Sequence, residues 1–108
     1  MIYLATPYSD PEPKMREMRY RCACLLAARL TFDGHVVFSP IVHGHAMERV
    51  SGLELSRGEW MRIDSEFLRR SDLLLVAKMP GWDASLGVRQ EIGMARAFEI
   101  PVEYWEVP

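Results

Sequence analysis

The sequence is sparing with the residues that mark most specialised proteins. Cysteine occurs twice, as Cys22 and Cys24. Two positions apart on a helix, they point to different sides and cannot easily bridge, so they read as reduced thiols in a cytoplasmic protein. Histidine occurs three times, and the "HGH" of His43 and His45 has no further Cys or His at a ligand-like spacing, so neither a metal site nor a cofactor is expected. No charge sign dominates: 13 basic and 15 acidic residues give a net charge of −2, no electrostatic basis for binding a nucleic-acid polymer or an anionic membrane. No run approaches the roughly 18 apolar residues of a membrane span, and no signal-peptide pattern opens the chain. Repeats, low-complexity tracts and linkers are absent too. What remains is an ordinary globular composition, 49% hydrophobic and 26% charged over 108 residues, enough for one domain with a modest core.

Short apolar runs alternate with helical patterns. "MIYLA" (1–5) ends at the proline-rich "TPYSDPEP", and a helix is expected from about Lys14 to Asp33. Its stripe is Met15, Met18, Cys22, Leu25, Leu26 and Leu30, and Gly34 stops it. "HVVFS" (35–39) is a second strand, followed by the stretch 40–58, which reads as irregular. A helix over about Glu59–Arg70 leads into "DLLLVA" (72–77), a continuous apolar strand of the kind buried on both faces. A helix over 84–98 and a last strand, "VEYWEV" (102–107), complete the chain. This alternation predicts an α/β fold: a single-domain parallel sheet flanked by helices, flavodoxin-like or Rossmann-like. Ligands in such sheets bind beyond the C-terminal strand ends, so the loops after Ala5, Ser39 and Ala77 should share one cleft.

Two carboxylates sit where they should not. Wound at about 100° per residue, the helix over 84–98 gathers Ala84, Val88, Ile92, Met94, Ala95 and Phe98 on one face, and Glu91 falls near its middle. The preceding helix repeats the pattern, with Asp64 between Trp60 and Leu68 on the stripe that holds Ile63 and Phe67. A buried unpaired carboxylate is costly and normally has a partner or a function. Structural explanations exist for each: Glu91 near a positive helix end, or Asp64 paired with Arg19, Arg62 or Arg89. Together, flanking one strand, the pair suits chemistry at an anomeric carbon, where one carboxylate attacks and the other handles protons.

"DASLGVRQEIGMA" (83–95) resembles the signature of the nucleoside 2-deoxyribosyltransferase superfamily, with Ser85-Leu86-Gly87-Val88 followed by Glu91-Ile92-Gly93. Asp64 stands eight residues before Asp72, a spacing at which that family carries an aspartate, and "IYLATPYS" resembles its first strand and nucleotide-cradling loop. Taken in order, the blocks "YLATPYS", "HVVFSPIVHGH" and "PGWDASLGV" are most similar to a small branch of the superfamily and span nearly the whole chain. The resemblance implies that Glu91 is a nucleophile on C1′ of a sugar, that Asp64 assists proton handling at the departing base or orients the sugar, and that Tyr3 lines the same pocket. It also implies a small-molecule nucleotide or nucleoside as substrate. Ser85 stands where transferases of free nucleosides tend to carry aspartate and hydrolases of 5′-monophosphates tend to carry serine. A serine at a helix N-terminus helps bind an anion, and Gly87 lets the helix start approach closely. The family's first loop often contains a glycine, and here it does not. Pro7 removes a backbone donor, leaving the hydroxyls of Thr6 and Ser9 to replace it.

Among the remaining candidates, His43 follows the second strand at the cleft mouth and is either a contact to the base or leaving group or an exposed loop histidine, while Tyr8 belongs to a loop that should overhang the cleft. Trp60 and Trp82 read as core or interface aromatics. The expected activity is cleavage of an N-glycosidic bond, with base exchange or a non-catalytic nucleotide-binding module as alternatives. A homo-oligomer is expected as well, with Trp82, Trp105 and the methionines supplying apolar contact surface.

Overall fold

A computed structural model describes residues 1–107. Four parallel strands form one sheet: β1 (Ile2–Ala5), β2 (Val37–Phe38), β3 (Leu73–Ala77) and β4 (Val102–Trp105), in the order β2-β1-β3-β4. Helices α1 (Pro13–Phe32), α2 (Pro40–Ser51), α3 (Arg57–Arg69) and α4 (Leu86–Ala97) make the crossovers. The expected Rossmann-like parallel α/β architecture is therefore present. The registers Leu4↔Leu75 and Leu75↔Glu103 place β3 between β1 and β4, which is why its sequence is apolar throughout.

Alternation along the strands sorts the core into two layers. Tyr3 and Ala5 of β1, with Leu74 and Val76 of β3, pack with Leu68 of α3 and with Val88 and Ala95 of α4. On the other face Leu4 and Ala77 pack with Leu30 of α1, joined by Cys22, Leu26 and Ala27. Complete burial of a Leu or Val side chain contributes about 1.5–3 kcal/mol, so the fully buried Leu4, Leu68, Leu74, Val76 and Val88 make the β1–β3 pair the rigid floor of the molecule.

Three expectations need correction. The stretch read as irregular contains α2, a full helix: Ser39 caps it by accepting from Val42 N–H at 3.2 Å, Pro40 fills the first turn, and Gly52 closes it at φ 73°. The α1 stripe is also narrower than expected. Met18 and Leu25 are exposed, while Cys22, Leu26 and Leu30 pack on the sheet beside the small Ala27. Finally, Ala84 belongs to a single 3-10 turn (Trp82–Ala84), and α4 begins only after Ser85.

Candidate functional site

A cavity of about 260 Å³ opens at the C-terminal ends of the strands. The loop after β1 contributes Thr6, Tyr8 and Ser9. Helix α2 contributes Ile41, Gly44, His45 and Glu48, and α3 contributes Arg57, Trp60, Met61 and Asp64. Each set follows the spacing i, i+3, i+4, i+7, the signature of one helix face, so two helices wall the cavity side by side. From α4 come Ser85, Gly87 and Glu91. Of the three loops expected to share the cleft, the third is divided: Met79, Pro80 and Gly81 line a separate apolar groove against α1, and the chain reaches the cavity only at Ser85.

Helix geometry brings in the carboxylates. Ser56 and Glu59 form a reciprocal capping box that fixes the start of α3, two turns before Asp64. Ser85 caps α4 by accepting from Val88 N–H at 3.2 Å, which sets the phase that turns Glu91 inward. Glu91 is 6% exposed, and the Tyr3 hydroxyl, itself wholly buried, donates to its Oε2 at 2.5 Å. Burial pushes the Glu91 carboxyl up to about 8; the Tyr3 hydrogen bond opposes this, the Asp64 charge adds to it, and Arg57 opposes it weakly. Burial alone raises Asp64 to about 6, and its Oδ1 has no hydrogen-bond partner. The expected alternative of an ion pair with Arg19, Arg62 or Arg89 is not realised. Burial, with the neighbouring Glu91 and Asp64 charges, raises the Tyr3 phenol far above its ordinary value and keeps it a donor.

Seven of the residues singled out from sequence meet in this cavity: Thr6, Tyr8, Ser9, Asp64, Ser85, Gly87 and Glu91. Tyr3 does not line it but lies beneath, holding Glu91. His43 is displaced from its expected place. It is exposed, edge-on to Phe38 and Phe67, because two residues 200° apart on a helix cannot face the same way. His45 takes the inward position. Reading 40–58 as irregular conceals it, together with Glu48, and the signal that reveals both is the Ser39-Pro40 helix start. Trp60 is a wall residue and not only a core aromatic: its Nε1–H donates to Glu48 Oε2 at 3.2 Å, and a Cβ at Gly44 would come within 3.2 Å of its ring. Arg57 donates to Gln90 Oε1 at 2.9 Å, tying α3 to α4 at the rim.

The cavity is acidic, with Glu48, Asp64 and Glu91 against the single guanidinium of Arg57. Among the described residues no cluster has metal-binding composition. The arrangement offers a buried carboxyl with a fixed donor and a second carboxyl with an unpartnered oxygen, so one group can form a bond to carbon while the other carries a proton.

Comparison with known families gives a match over residues 1–107 to the model described as "Domain of unknown function (DUF1937)". No curated protein matches the chain.

Proposed function

We propose, starting from a chain that belongs to the DUF1937 family, that this protein cleaves the N-glycosidic bond of a nucleoside or nucleotide with Glu91 as nucleophile. The observation that carries this reading is the Tyr3-held Glu91 and the unpartnered Asp64 oxygen on one cavity. The likeness of 83–95 to the nucleoside 2-deoxyribosyltransferase signature supports it. A Glu91 oxygen attacks C1′ as the bond to the base nitrogen breaks; that nitrogen takes the electron pair and a proton from Asp64. Water, or a second base, then attacks C1′ while the Asp64 carboxylate takes its proton, and the C1′–Glu91 bond breaks to release the Glu91 carboxylate.

The resting proton is on the wrong partner for this reaction. Burial raises Glu91 further than Asp64, so at neutral pH the proton favours Glu91, and the reaction needs it on Asp64. Positive charge developing at C1′ favours an ionised Glu91 and offsets that preference in the transition state. Tyr3 keeps its proton throughout and aims the attacking carboxylate.

A 5′-phosphate has one tolerable place in so acidic a cavity: the N-terminus of α4, where Ser85 and Gly87 lie. A purely binding module has less support, because a binder of neutral ligands gains nothing from burying Glu91. The test is incubation with a panel of nucleosides and 5′-monophosphates, with and without an acceptor base, reading released base by chromatography. Release without acceptor is expected for a hydrolase and release only with acceptor for a transferase; no release from any member contradicts the proposal.

A further inference from the structure

We infer that Tyr8 determines specificity in the cavity by accepting a hydrogen bond from a ligand hydroxyl, its acceptor polarity being imposed by His45 and Glu17. The inference rests on the nucleoside reading only for the kind of hydroxyl, that of a sugar.

Three side chains from three elements form a hydrogen-bonded line. Tyr8 Oη, on the loop after β1, lies 2.6 Å from His45 Nδ1. His45 Nε2, on α2, lies 3.0 Å from Glu17 Oε2, on α1. The other Glu17 oxygen is taken by Arg49 at 2.9 Å, with Arg21 at 3.5 Å. Desolvation of Glu17 is outweighed by these partners, which hold its carboxyl below the usual range, so it remains an acceptor. Facing that acceptor, a neutral imidazole carries its proton on Nε2 and leaves Nδ1 bare. A bare Nδ1 can only accept, so it consumes the Tyr8 hydroxyl proton. Tyr8 then shows the cavity nothing but lone pairs.

The surroundings hold this line in place. Tyr20 of α1 stacks on the His45 ring at 4.1 Å, and His45 is only 12% exposed. The loop bearing Tyr8 is pinned by Arg19, which donates to the Ser9 carbonyl at 2.9 Å and to that of Tyr8 at 3.4 Å. Arg16 is within hydrogen-bonding reach of the Tyr8 hydroxyl oxygen, which leaves that oxygen one lone pair for a ligand; Glu48 is the other charge facing it, and burial keeps the phenol protonated. The neighbouring Thr6 hydroxyl is 4% exposed and unpartnered, a second polar atom available to the ligand beside Tyr8. A site built to accept from a hydroxyl penalises the analogue that lacks it far more than an apolar wall would, because the acceptor is left unpaired.

Two measurements decide the matter. Nitrogen-15 NMR of the ligand-free protein reads the His45 protonation: a protonated Nε2 and a bare Nδ1 are expected, and either the opposite neutral tautomer or an imidazolium protonated at both nitrogens overturns the inference. Calorimetric titration then compares adenosine, guanosine, cytidine and uridine with their 2′-, 3′- and 5′-deoxy analogues. Loss of one hydroxyl should weaken binding at least 10-fold in the native protein and less than 3-fold in Tyr8→Phe. His45→Phe keeps the ring stack and leaves Tyr8 in place but frees its proton, so discrimination should fall there too, whereas a purely structural His45 would lower all affinities alike. Unchanged discrimination in Tyr8→Phe overturns this inference alone. Failure of every nucleoside, and of the matching 5′-monophosphates titrated alongside, to bind overturns it together with the functional reading.

Discussion

Glu91 and Asp64 hold their protons more tightly in the folded chain than in the unfolded one, where their ordinary values are 4.5 and 3.8. A raised folded value means stability that is complete below the unfolded value and is lost as pH rises through the folded one. The protein should therefore lose roughly 2–4 kcal/mol of unfolding free energy as Glu91 titrates between pH 4.5 and 8. Glu91→Gln keeps an oxygen for Tyr3 and has nothing to titrate, so its stability should be flatter over that range. Urea denaturation at pH 5 and pH 8 measures this, and parallel curves for the two proteins would remove Glu91 as a strained acid. Tyr3→Phe should act in the opposite sense on chemistry. Losing the donor to Glu91 raises the carboxyl further, so the rising limb of kcat/KM against pH should move up by about one pH unit and turnover at pH 7 fall about 10–100-fold. An unmoved limb would mean that Tyr3 only fills space.

At the scale of elements, helical phase decides which parts of the site are legible in the sequence. The phases of α3 and α4 follow from their apolar stripes, so spacing alone places Asp64 and Glu91 on inward faces. Helix α2 is harder to see because Val42, His43 and Gly44 are indifferent or poor helix formers; its start, Ser39 with Pro40, is the one clear mark it leaves in the sequence. Without that mark the expected contact falls on His43 instead of His45, and Glu48 stays concealed. The α1 stripe misleads for a different reason: the helix carries more apolar surface than the sheet covers, so Cys22, Leu26 and Leu30 make the contact while Met18 and Leu25 stay exposed. The start of α4 yields its own prediction. Aspartate caps helices as well as serine does, so Ser85→Asp should preserve the fold while placing a carboxylate where a phosphate would bind. Binding of a 5′-monophosphate should weaken by about 1–4 kcal/mol relative to the matching nucleoside. Equal losses for both would show that Ser85 does not read the 5′ end.

At the scale of the whole molecule, the cavity is bordered by uncovered apolar side chains. Val50, Leu53 and Leu55, around the link between α2 and α3, are exposed, and Leu55 lines the cavity itself. Of the residues expected to supply contact surface, Trp82 and Trp105 are half-buried against the chain's own core, and Met18 and Met47 are exposed. A homo-oligomer remains our expectation, with the Val50–Leu55 rim as its contact and the neighbour helping to close the cavity. Light scattering at micromolar concentration should give at least a dimer, reduced to a monomer by Leu53→Glu. A native monomer would show that the rim is left to solvent.

A bond between Glu91 and the sugar is the central claim, and the most direct measurement of it is base release by Glu91→Gln on a substrate found in the panel. The variant preserves shape and removes the charge. It should fold, as judged by circular dichroism and a cooperative melt, and lose about 10³-fold or more in kcat with little change in KM. Folded Glu91→Gln protein with near-native turnover would contradict that role.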